Sequence, residues 1–237
     1  MAEAGTTAPV DLSGELDRIE AAVLAGNADL KGLGFWRVVA QVKPDRMLVA
    51  RYADQIGRID TAAFRLAVRP RMPVWVGNTL LLAATLGGLA AAIAAHVVSS
   101  ATLSGLLLLG AGAAWTVTLH SPTHWGVGRA VGIDFTDYFV GGPPPPRPSL
   151  KIDYATYLRA DPESRAWMHA SGAIATKIAP LLALAFWPGS GAPWWSAAGL
   201  VVVCLASIAT DIAFSVKVGD WKKFRREREI ARARAQI

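Results

Sequence analysis

The sequence predicts an all-α, polytopic membrane protein with four transmembrane helices and an N-terminal amphipathic helical region. Three observations carry that expectation. No Asp, Glu, Lys or Arg occurs between Arg71 and Arg129. Hydrophobic residues make up 53% of the chain and charged residues only 18%, a balance too apolar for an ordinary soluble domain of this size. Several apolar runs meet or approach the roughly 20 residues that a helix needs to cross a bilayer.

In chain order, the expected organisation is a cytoplasmic helical region over residues 1–71, a four-span membrane domain over 72–216 with a Pro-rich cytoplasmic loop at about 121–168, and a basic cytoplasmic tail over 217–237. The first residues, Met1 to Arg18, are polar and acidic and lack the basic-then-apolar order of a cleaved signal, so insertion is expected to rely on the later helices. Asp11 to Leu30 reads as a short amphipathic helix with Leu16, Ile19 and Val23 on one side. Pro44 to Val68 reads as a second, with Leu48, Tyr52, Ile56, Ile59 and Phe64 at helical spacing. Such faces pack on each other or lie on the bilayer surface.

The four spans are Val74 to Val98, Thr102 to Leu119, Ala170 to Trp187 and Trp194 to Ser215. Basic residues flank them on one side only. Arg65, Arg69 and Arg71 precede the first, Arg129, Arg147, Lys151, Arg159 and Arg165 lie between the second and third, and Lys217 with the arginines and lysines after it follows the fourth. Since cytoplasmic flanks hold excess positive charge, both termini are expected in the cytoplasm, with the chain in the plasma (inner) membrane. Trp75, Trp125, Trp167 and Trp221 near one boundary and Trp187, Trp194 and Trp195 near the other fit the same placement. Trp115, inside the second span, is the exception.

The run Gly141-Gly142-Pro143-Pro144-Pro145-Pro146-Arg147-Pro148 predicts an extended spacer between two interfacial segments. Beyond it, Asp161-Pro162-Glu163 has a capping Asp, Pro at the first helical position and an acid in the first turn, so the third span is expected to begin as a helix in water. The formal charge of +6 lies beside membrane segments rather than among base-stacking aromatics, which argues for lipid and against nucleic acid. The tail from Lys217 onward is read as a basic helix on anionic lipid. Cys204 stands alone in an apolar run, so no disulfide framework, Cys zinc site or redox pair is expected.

Ionisable groups at membrane depth are costly and mark function or a compensating partner. His120, His124, His169, Lys177 and Asp211 all belong to the inner half of the membrane or its cytoplasmic boundary. His120 and His124 are four positions apart, a spacing that brings two imidazoles onto one helix face. With Asp211 as a carboxylate from another helix, they make a candidate zinc site. The competing readings are structural. Ser121 caps a new helix beginning at Pro122, which would separate the two histidines, and Asp211 neutralises Lys177 as a buried ion pair. His96, alone near the outer end of the first span, reads as an interfacial histidine.

A His-x-x-x-His word at the cytoplasmic end of a span, the small-residue stretch Ala170-Ser171-Gly172-Ala173-Ile174-Ala175 opening the next, and Asp211 in the span after that resemble the core of the site-2 protease family of intramembrane zinc metallopeptidases. The resemblance covers about residues 102–220. It implies His120 and His124 as the histidine ligands and Asp211 as the third. Ser121 stands where the family has its catalytic Glu, and Ile212 where a Gly follows the ligating Asp. A hydroxyl cannot act as the general base on metal-bound water, so the implied relative either binds metal without proteolysis or borrows a base from Asp134, Asp137 or His169. Two further classes stand beside this one. Haem held by His120 or His124 with His169 is one. A scaffold whose loop and tail bind a membrane-protein substrate or a partner subunit is the other.

Overall fold

The computed structural model describes residues 11–141, 147–214 and 219–236. Its helices are α1 (Leu12–Leu24), α2 (Phe35–Val42), α3 (Arg46–Ala67), α4 (Val74–Ala94), α5 (Ala101–Thr118), α6 (His120–Ala130), α7 (Tyr154–Arg159), α8 (Pro162–Ala185), α9 (Trp194–Phe214) and α10 (Asp220–Arg234). Three strands accompany them: β1 (Arg71–Pro73), β2 (Phe135–Gly141) and β3 (Arg147–Ile152). The chain forms two compact units, one of residues up to Arg69 with α7, the other of Pro70–Asp153 and Ala160 onward.

In the first unit, Asp11 caps α1 by accepting from the Gly14 amide at 3.1 Å, and Asp45 caps α3 by accepting from Met47 and Leu48. Leu16, Ile19 and Val23 of α1 meet Tyr52, Ile56 and Ile59 of α3 in one buried cluster, so these amphipathic faces pack on each other. The sequence reading lacked α2. Its Phe35, Val38, Val39 and Val42, spaced i, i+3, i+4, i+7, all enter the same cluster.

In the second unit, α4, α5, α8 and α9 are long and apolar enough to cross a membrane. This is the expected polytopic all-α architecture. Leu80, Leu82 and Leu86 of α4 and Val202, Leu205 and Ile212 of α9 face outward, as bilayer-facing side chains do. The first span ends at Ala94, before His96, and α8 starts at Pro162, ahead of its apolar stretch. Asp161 caps it as expected, accepting from Glu163 and Ser164. Trp115 has a specific seat: its indole N–H donates to the Thr85 carbonyl at 2.9 Å, while the Thr85 and Thr118 hydroxyls meet at 2.8 Å, joining α4 to α5.

The expected loop spacer contains structure. Residues 142–146, with the proline run, lie outside the described residues, but their flanks pair as an antiparallel hairpin in a sheet of order β1-β2-β3. The strand Phe135–Gly141 is rich in aromatic and β-branched residues, which suit a pleated surface. Thr136 falls at an irregularity where Phe135 pairs with Ile152 and Asp137 with Lys151. Pro73 and Pro148 both lie on outer strands, where a missing N–H is tolerated.

The basic tail packs back along α8. Arg165 of α8 and Glu227 of α10 form an ion pair at 2.9 Å with both side chains fully buried, Arg228 pairs with Glu163, and the Trp167 and Phe224 rings meet edge to face with centroids 5.4 Å apart. The tail, read in the sequence as a basic helix on anionic lipid, is a helix that also packs on α8. Its register on α8 is set by a pair that cannot be left half made, since removing one member strands a buried charge. Arg165→Ala or Glu227→Ala is expected to cost about 3–5 kcal/mol in unfolding experiments in detergent, whereas the double variant Arg165→Met/Glu227→Leu recovers most of that loss. Equal losses in single and double variants would contradict this account.

Candidate metal centre

Helix α5 runs into α6 through one non-helical residue, Leu119. Pro122 lacks the N–H that would reach the Thr118 carbonyl, so the ladder is interrupted there. The chain nevertheless keeps helical dihedrals at Leu119, and the Thr123 amide bonds its carbonyl at 3.1 Å. His120 and His124 therefore share one helix, with ring centroids 4.7 Å apart. Ser121 does not cap a new helix: its hydroxyl donates to the Pro148 carbonyl at 2.9 Å, tying α6 to β3.

Each imidazole is oriented through its Nδ1. That of His124 lies 2.6 Å from the Met168 carbonyl, which can only accept, so Nδ1 carries the proton. That of His120 lies 3.1 Å from the Thr176 Oγ1, whose own hydroxyl donates to the Gly172 carbonyl at 2.9 Å, leaving the oxygen to accept from His120. Both supports come from α8. The small-residue stretch that opens the apolar part of α8 makes the approach possible: a Cβ on Gly172 would sit 2.2 Å from the His124 Nε2.

The two Nε2 atoms converge on one carboxylate. Asp220 Oδ2 lies 3.3 Å from His124 Nε2 and 3.5 Å from His120 Nε2. Lys223 Nζ sits 3.3 Å from the other carboxylate oxygen. Asp220 opens α10 directly after Gly219, whose φ of 88° turns the chain into that helix in a region unfavourable to other residues. Burial pushes the Asp220 carboxyl up, but contact with His124 and the charges of His124, Lys223 and His120 more than reverse this and hold it well below the usual carboxylate range.

His120, His124 and Asp220 can each offer one ligand atom, all within 4.8 Å of one another. Four ligands about 2.0–2.1 Å from a tetrahedral zinc ion lie about 3.3 Å apart, close to the two nitrogen–oxygen separations here. Donation from each Nδ1 to a carbonyl or hydroxyl is also how metal-binding histidines are usually held. The donor set therefore fits a divalent ion of the zinc type. A cavity of about 450 Å³ adjoins the group, lined by these three residues together with His169, Ser149 and Lys223.

The other residues singled out in the sequence are distributed as follows. Asp211 stands outside the group: its carboxylate pairs with Lys177 and accepts from the Trp221 indole N–H at 2.6 Å. The ion-pair reading of Lys177 and Asp211 is thus the observed one. His169 is buried and lines the cavity. Asp134 pairs with Arg129, and Asp137 lies 3.8 Å from Arg71. His96 packs edge-on to Phe186, with ring centroids 6.4 Å apart. Sequence reasoning missed Asp220. Its one signal is an acid directly ahead of Trp221-Lys222-Lys223, which reads equally well as a favourable charge at a helix start.

No protein-family model, curated protein or solved structure matches this chain.

A carboxyl lowered by folding adds stability above its unfolded pKa and loses it as the pH falls toward the folded value. For Asp220 the contribution declines as the pH falls below 3.8, its ordinary value. The melting-temperature gap between the wild type and Asp220→Asn is therefore expected to narrow from about pH 5 to about pH 3. A gap that widens on acidification would be inconsistent with the pairing.

Proposed function

We propose that this protein is a metal-binding membrane protein in which His120, His124 and Asp220 hold one zinc-type ion at the cytoplasmic boundary of the inner membrane, a divergent relative of the intramembrane zinc metallopeptidases. The observation that carries this reading is the convergence of two Nε2 atoms on Asp220 Oδ2 at 3.3 and 3.5 Å, with each Nδ1 already engaged. With each Nδ1 engaged, both Nε2 atoms are available to a cation shared with Asp220. The cytoplasmic placement rests on the one-sided basic flanks.

A bound zinc would supply Lewis acidity and acidify a water in an open fourth position. The residues around it favour holding over hydrolysis. Ser121 occupies the place of a catalytic Glu, and its hydroxyl is engaged by Pro148. Asp134 and Asp137 face arginines. Of the three substitute bases considered, His169 alone lines the cavity. Lys223 takes the second oxygen of Asp220, leaving Oδ2 to the ion. We therefore read the protein as a non-proteolytic relative that binds a membrane-protein substrate or partner subunit. The haem reading has less support, because the nitrogens that would meet iron face Asp220 at contact distance.

Elemental analysis of untagged, detergent-purified protein tests the metal. About one zinc per chain is expected, lost in His120→Ala/His124→Ala and in Asp220→Ala and retained in Asp211→Ala. Zinc-replete wild type without metal, or an Asp220→Ala variant that keeps its full content, would refute the site.

A further inference from the structure

Helix α10 has a second face. Asp220 and Glu227 point to the histidines and to Arg165, while Trp221 and Arg225, four apart and so on one side, line a separate groove. The groove holds about 500 Å³ and is bounded by α8, α9 and α10. Ile174, Ile178 and Leu181 of α8 form its apolar wall opposite Ile208 of α9. These four side chains remain 37–47% exposed, in helices that cross the bilayer. At 1.5 Å per residue, the stripe from Ile174 to Leu181 extends about 10 Å along the span.

One end of this groove is polar. Lys177 and Asp211 cancel each other, and the Trp221 indole N–H is committed to Asp211. Arg225 is exposed and has no ion-pair partner among the described residues. The described charged residues of the groove therefore sum to one unbalanced positive charge, at the end where the basic helix meets the membrane boundary.

We propose that this groove is a binding site for a single anionic glycerophospholipid, with an acyl chain along Ile174, Ile178 and Leu181 and the phosphodiester against Arg225. One negative phosphodiester balances the one cation of the groove that lacks an ion-pair partner among the described residues. An aliphatic wall continuous with a charged mouth matches the order of tail and headgroup in a bilayer leaflet, and Trp221 lies where indoles prefer to sit, between the two. The inference rests on the membrane-spanning fold and not on the metal, so its failure would leave the zinc reading standing.

Native mass spectrometry of the full-length protein in detergent, titrated with phosphatidylglycerol or with phosphatidylcholine of the same chain length, tests it. Wild type is expected to retain one phosphatidylglycerol per chain at about tenfold lower lipid concentration than phosphatidylcholine. Arg225→Glu is expected to abolish that preference, and Arg225→Gln to weaken it. Ile178→Trp, which fills the groove, removes binding of both lipids, while Arg232→Glu/Arg234→Glu, on the same helix and away from the groove, leaves it intact. Equal binding of the two lipids, or equal loss in the groove and distal variants, would mean ordinary annular lipid and would overturn the site. A dimer that carries no lipid would overturn it in favour of a second copy as the occupant.

Discussion

Helix α10 follows the last span, yet its first residue completes a cluster begun by the second span. This is possible only because α10 is held along α8, and the Arg165–Glu227 pair holds it there from inside the packing, with neither side chain reaching solvent. A fully buried pair tolerates little sliding, because a shift of one residue would break a charge pair in a dry environment. The edge-to-face contact of Trp167 with Phe224 and the Arg228–Glu163 pair lie on the same interface. Together they place Asp220 against imidazoles that α8 has already oriented through Met168, Thr176 and Gly172.

The same helix separates two kinds of electrostatics. On one side, an acid, two imidazoles and a lysine gather in a polar cavity, and the acid is strongly favoured in its charged form. On the other, Lys177 and Asp211 neutralise each other beside an aliphatic wall. The adjacent residues Asp220 and Trp221 face these two environments, so one turn of helix marks the boundary between a polar chamber and the bilayer.

Much of this was legible in the sequence because it depends on neighbours in the chain. Span positions follow from runs of apolar residues, the cap at Asp161 from the residues directly after it, and the pairing of Lys177 with Asp211 from the cost of leaving either charge alone in hydrocarbon. The shared face of His120 and His124 was legible as one of two readings; what decided it was that the helix passes through Leu119 despite Pro122. The sheet was hidden because β1 and β2 are far apart in sequence and each is too short for its alternation to stand out. Asp220 was hidden for a related reason. Its proximity to His120 depends on the register of α10 along α8, which is set by Arg165 and Glu227, and two residues of opposite charge in a chain with many of each announce no pairing.

The origin of the carboxylate has a consequence for the order in which the protein is made. A nascent chain emerges N-terminus first and its parts organise in that order. His120 and His124 are made while α8, α9 and α10 are still unsynthesised, and they gain their orienting partners only when α8 follows. Asp220 arrives after every span has been threaded. The His–Asp–His group is thus complete only once α10 has been made and has packed on α8.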